Sequence, residues 1–151
     1  MITKGIRIYD HENHIIVLEL TDILDEINNF NEFCWCVLYS DITPKTESVK
    51  FVMGIQEETD KSRDGIIIPW KRLRDFSNGI FQSIDLGIIA CKDKALLHRY
   101  EDDQEMYETC DIVIEMIDSG YWEVFSKDEQ LINRLAEKFK NTEFLDSDFE
   151  K

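Results

Sequence analysis

Apolar and polar positions alternate most cleanly near the C-terminus. Cys110, Ile112, Ile114 and Met116 fall on one parity, and Asp111, Val113, Glu115 and Ile117 on the other, the period-two signature of a strand. Asp118-Ser119-Gly120 supplies turn chemistry and residues 121–125 return, so a β-hairpin is predicted. Ser126-Lys127-Asp128-Glu129 has the form of a capping box, a Ser cap with Glu three residues later. It opens a helix to about residue 140, with Leu131, Ile132, Leu135, Ala136 and Phe139 as its buried stripe. Residues 143–145 suit a last short strand, and 146–151 an acidic, frayed tail.

The N-terminal half is less uniform. Residues 2–9 alternate as a strand, with Ile2, Ile6 and Ile8 on one side and Arg7 and Tyr9 on the other. After a polar turn at 10–13, Ile16, Leu20, Ile23, Leu24 and Ile27 recur at helical spacing, which predicts a helix over 15–27. The β-branched run around Ile15 leaves its start open to a strand. Residues 33–39 are apolar on both parities and predict a central strand buried on both faces. A loop over 41–50, a short strand over 51–55 and an exposed loop over 56–64 follow. Ile66-Ile67-Ile68 is held extended by Pro69, which in turn suits the start of a short helix over 70–76, ended at Asn78-Gly79. A strand over 84–91, with Ile84, Leu86, Ile88 and Ala90 on one face, precedes a polar, helix-like stretch over 101–109.

Strands in runs with helices interspersed argue for the α+β class. The expected architecture is a mostly antiparallel sheet of about five to seven strands with two main helices packed on one face. The chain has 151 residues and shows no repeat or linker, which fits a single domain over 1–151.

Composition changes this picture in one respect. Asp plus Glu is 32 against 17 for Lys plus Arg, a formal net charge of −15. Such a balance repels nucleic-acid backbones and favours basic partners. A nucleic-acid partner is therefore not expected. The opening residues lack the apolar core of a secretory signal, and no apolar run approaches a membrane span, so no membrane association is expected. A cytoplasmic location with reduced thiols follows as the expectation.

Candidate chemistry is sparse. Cys34 and Cys36 sit two apart on a strand, an arrangement that grips one metal ion poorly compared with a CxxC turn, and Cys91 and Cys110 also fall on predicted strands. Buried thiols without metal are expected. His11 and His14 lie three apart and His98 is distant, without a third ligand or a nucleophile motif beside them. None of the six glycines forms a phosphate-binding loop. No catalytic residue, cofactor or metal site is expected, and the chain is not expected to be an enzyme.

The acidic runs carry the most information. Glu101, Asp102, Asp103, Glu105, Glu108 and Asp111 crowd one segment, flanked by Tyr100 and Tyr107. A second group is Glu57, Glu58 and Asp60, and a third Glu143, Asp146, Asp148 and Glu150. Two readings are open: solvated faces, or a binding surface for a basic protein. On the second reading the partner-binding residues are Glu101, Asp102, Asp103, Glu105, Tyr107 and Glu108, with Tyr107 as an aromatic anchor. Lys61, Arg63, Lys71, Arg72 and Arg74 form a positive segment that either balances neighbouring carboxylates or carries homo-oligomerisation.

Two likenesses follow from these residues. The run from Ile112 through Ser119-Gly120-Tyr121-Trp122 to Asp128, with Lys4-Gly5-Ile6-Arg7-Ile8 and the aromatic strand around Trp35, resembles a small uncharacterised domain family of Gram-positive bacteria that carries no functional motif. The overall character is similar to the immunity proteins of bacterial polymorphic toxin systems, which are small, acidic, α+β and non-catalytic. The second resemblance implies occlusion of a basic toxin domain. The alternatives are a regulatory or structural interaction domain and an enzyme of unrecognised type.

Overall fold

The computed structural model describes residues 4–146. Strand β1 (Lys4–Ile8) is followed by a miniature hairpin, β2 (His11–Glu12) and β3 (Ile15–Ile16), and by the single-turn helix α1 (Leu20–Leu24). Next come β4 (Cys34–Pro44), α2 (Val49–Lys61), β5 (Ile66–Ile68), α3 (Trp70–Asn78) and β6 (Ile80–Cys91). The described chain ends with α4 (Asp103–Thr109), β7 (Ile112–Ile117), β8 (Tyr121–Ser126), α5 (Glu129–Lys138) and β9 (Thr142–Asp146). Seven strands make one sheet in the order β5-β4-β6-β7-β8-β1-β9, with every neighbouring pair antiparallel. The fold is α+β.

Strand alternation divides the apolar residues between two cores. Ile6, Ile8, Trp35, Val37, Leu86, Ile88, Ile112, Ile114, Trp122 and Val124 project to the inner face, where α1, α2, α3 and α5 lay down Leu20, Ile55, Phe76 and Leu135 among others. Cys36, Ile89, Val113, Phe125 and Leu145 project to the outer face. That face is covered by the segment leading into α4 and by α4 itself, through Leu97, Met106 and Tyr107. Burying each large apolar side chain contributes about 1.5–3 kcal/mol, so Trp35, Trp122, Phe76 and Phe125, all fully buried, anchor both layers.

Helices therefore pack on both faces, not one, and the described residues form five of them rather than two principal ones. Residues 49–61 form a helix where a loop, a short strand and a second loop are predicted. Val52, Ile55 and Thr59 are its buried face, and the threonine hides this stripe from a purely apolar count. The predicted helix over 15–27 contracts to α1. Asn13 and His14 adopt positive φ of 53° and 65°, turning the chain back so that Ile15–Ile16 pair with His11–Glu12. Leu18, Leu20, Ile23, Leu24 and Ile27 are nonetheless all in the inner core. Strand β4 continues to Pro44 through the predicted loop, and lies next to the short edge strand β5. Helix α5 is capped by Asp128, whose side chain accepts from the Gln130 amide. Ser126, the expected cap, ends β8 and accepts from the Asp128 amide at 3.0 Å. The predicted strand over 143–145 is β9, and 147–151 of the acidic tail lie outside the described residues.

Candidate partner-binding surface

The acidic segment enters α4 across the outer face. Asp102 caps this helix, accepting from the Gln104 amide at 2.9 Å, and Asp103 and Glu105 occupy the first turn, where carboxylates suit the helix dipole. Glu101, Asp102, Asp103, Glu105 and Glu108 are all exposed. Among the described residues none of the five pairs with a cation. Tyr107 is a correction: it is 3% exposed, stacks on Phe125 with centroids 4.1 Å apart, and belongs to the outer core. Helix α4 must bury one side to cover the sheet, and Met106 and Tyr107 are that side. Tyr100 is half-buried and donates its hydroxyl to the Leu96 carbonyl at 2.7 Å.

Beneath α4 the sheet carries a row of polar residues that sequence spacing does not connect. Register places Tyr39 opposite Gly87, Gly87 opposite Glu115, Glu115 opposite Glu123, and Glu123 opposite Arg7. Two features let Tyr39 join the row. A bulge between Val37 and Tyr39 resets the alternation of β4. Gly87 leaves space for the tyrosine ring, since a Cβ there would sit 2.4 Å from the Tyr39 Cε1. The Tyr39 hydroxyl donates to Glu115 Oε2 at 2.9 Å, and the Tyr107 hydroxyl donates to Glu115 Oε1 at 3.0 Å.

Glu115 is 6% exposed. Burial pushes its carboxyl up to about 7, and Asp103 and Glu123 add to the rise while the two tyrosine hydroxyls oppose it. Burial, Glu115, Asp85 and Asp103 together hold the Tyr39 hydroxyl well above the ordinary tyrosine range. Glu123 is neutralised by Arg7, whose Nε and Nη2 donate to its Oε2 at 2.8 and 2.6 Å. The same guanidinium lies 4.6 Å from the centre of the Tyr121 ring. Past Tyr39, Asp41 and Asp85 face each other directly across β4 and β6, a like-charge pairing that costs stability.

Asp103 and Asp85 both act on Tyr39, so the exposed run on α4 lies near the Asp41–Asp85 pair on one acidic face, with the buried Glu115 beneath it. The other acidic groups differ: Glu57, Glu58 and Asp60 lie on α2, which packs on the opposite face of the sheet, whereas Glu143 continues the polar row on β9, opposite Arg7. Glu58 contacts Arg72 at 3.7 Å, and the Tyr9 hydroxyl donates to Glu143 at 3.1 Å. The positive segment is largely balanced locally, with Lys71 on Asp75 at 3.1 Å and Arg74 on Asp25 at 2.5 Å. Of the histidines, His11 meets the Gly120 carbonyl at 2.8 Å and His98 stacks on Tyr100. One signal for the missed residues was available in the sequence: Glu115 interrupts an otherwise apolar strand.

Among the described residues no three His, Cys, Asp or Glu side chains converge to hold a metal ion, and no helix is long and apolar enough to cross a membrane. No protein-family model matches the chain, and neither does any curated protein or solved structure.

Proposed function

We propose that the outer face is a docking surface for a basic protein, and that the concrete form of this activity is immunity, the occlusion of a basic toxin domain. One observation carries the reading. The exposed carboxylates of Glu101, Asp102, Asp103, Glu105 and Glu108 have no cationic partner among the described residues, while Arg72, Arg74, Lys71 and Lys138 each pair with a carboxylate elsewhere. Unneutralised like charge costs folding stability, and a facing cationic surface would relieve it. Such a surface also steers a basic partner and speeds encounter. The exposed part of Tyr39 supplies an aromatic contact beside the carboxylates.

The test is calorimetric binding to a basic toxin domain encoded beside this chain, coupled to protection of cells expressing that domain. Asp103→Lys with Glu105→Lys is expected to weaken binding at least 100-fold, about 2.7 kcal/mol or more, and to abolish protection. Asp102 is left intact because its loss would uncap α4. Glu57→Lys, outside the surface, serves as the control and should bind normally. Binding that ignores both the double reversal and added salt would instead favour a regulatory or structural interaction domain with no charge preference.

A further inference from the structure

All four thiols lie on the outer face, and two of them oppose each other directly across neighbouring strands. Cys34 and Cys91 are Cα partners across β4 and β6. Cys91 is in the outer core and Cys34 is half-buried against it, so both side chains project the same way. Directly opposed residues of antiparallel strands have Cα atoms about 4.5–5.5 Å apart, inside the roughly 4.4–6.8 Å window of a disulfide. Cys110, which caps the C-terminus of α4, is fully buried in the same cluster, and the Cys91 thiol donates to the Leu96 carbonyl at 3.9 Å.

Access to these thiols is graded. Cys91 and Cys110 are fully buried. Cys34 is half-exposed and borders an open apolar cleft of about 400 Å³ with Phe30, Phe33 and Trp70. Cys36 is poorly placed for the same chemistry. Its cross-strand partner is Ile89, its thiol points at the Asp64 carbonyl 3.6 Å away, and burial pushes that thiol up to about 11.

We propose that Cys34 and Cys91 form a redox-active pair, in which peroxide oxidises Cys34 and Cys91 closes a reversible disulfide between β4 and β6. In the first step the Cys34 thiolate attacks a peroxide oxygen. The O–O bond breaks, an S–O bond forms, and hydroxide leaves, giving a sulfenic acid. The Cys91 sulfur then attacks the Cys34 sulfur. The S–S bond forms, the S–O bond breaks, and the hydroxyl leaves with the Cys91 proton as water. Two electrons pass from the thiols to peroxide.

The experiment is treatment of the purified full chain with hydrogen peroxide, followed by intact mass measurement and peptide mapping. The expected product has lost two hydrogens, carries no added oxygen, joins Cys34 to Cys91, and returns to the dithiol with dithiothreitol. Cys34→Ser should reduce cross-linking at least tenfold, whereas Cys36→Ser should leave it unchanged. Cys34 is half-exposed, so its serine variant stays informative even if Cys91→Ser disturbs the core. A cross-link that joins Cys91 to Cys110, a cross-link that survives in Cys34→Ser, or a product that only gains oxygen would each overturn the proposal.

Discussion

Glu115 gathers the consequences of the outer face into one titratable group. Its carboxyl titrates near 7 in the folded chain against an ordinary value of 4.5. Between those values the folded state binds more protons than the unfolded state, so stability falls as pH rises from about 4.5 through 7. The expected contribution is on the order of 3 kcal/mol, since each tenfold change in proton affinity is worth about 1.4 kcal/mol. Glu115→Gln keeps the shape and removes the charge. Urea unfolding at pH 5 and pH 8 should show the variant losing less stability than wild type across that interval. Glu19, which burial also raises to about 7, acts in the same direction, so the variant's slope should flatten without vanishing. Identical slopes would mean that Glu115 is ionised in the folded protein throughout. None of this is visible as a motif. Tyr39, Glu115 and Asp85 meet through strand register, and the β4 bulge inverts the parity that spacing would assign to Tyr39. The run from Glu101 to Glu108 is legible because it is contiguous. Which side of α4 Tyr107 occupies is not, because a helix of seven residues has too few turns to show a stripe.

At the scale of elements, the legible parts are those with long, unbroken periodicity. The β7–β8 hairpin, β6, α5 and the short helix after Pro69 all show it. Residues 49–61 do not, because Thr59 fills a core position and Gly54, a poor helix former, sits mid-helix facing open space. A long-range tie with no sequence signal holds this helix to the sheet. Arg99 donates to the carbonyls of Ser62 at 2.7 Å and Thr59 at 3.1 Å, at the C-terminus of α2, and to the Leu38 carbonyl at the β4 bulge. A cation there suits the helix dipole and satisfies carbonyls that the helix leaves open. Arg99→Ala should cost about 1–3 kcal/mol, the range for losing charged hydrogen bonds to partly buried acceptors. Urea denaturation measures the loss, and hydrogen exchange should quicken at the end of α2 and along the bulge. A stability change near zero would show that water replaces the guanidinium at all three carbonyls.

Over the whole molecule, two electrostatic contributions oppose each other. Ion pairs link described residues at six places. Most are exposed or half-exposed, and such pairs contribute about 0–1 kcal/mol each. Against them stands a net charge of −15, with the carboxylates of Glu101 to Glu108, Asp41 and Asp85 gathered on the outer face. Their mutual repulsion acts over a screening length of about 30 Å at 0.01 M ionic strength and about 8 Å at 0.15 M. Salt weakens both contributions, but the pairs act at contact distance and the repulsion acts across the surface, so the repulsion is screened more. Sodium chloride added across that range should therefore stabilise the fold by on the order of 1 kcal/mol, raising Tm by about 2–4 °C. Docking on a basic partner should weaken over the same range, because it draws on the same field. The two responses have opposite signs in one titration, which separates a surface whose charge serves binding from a chain that is merely acidic. A Tm that falls as salt is added would show that the ion pairs outweigh the repulsion, and the carboxylates on the outer face would then have no unrelieved charge to offer a partner.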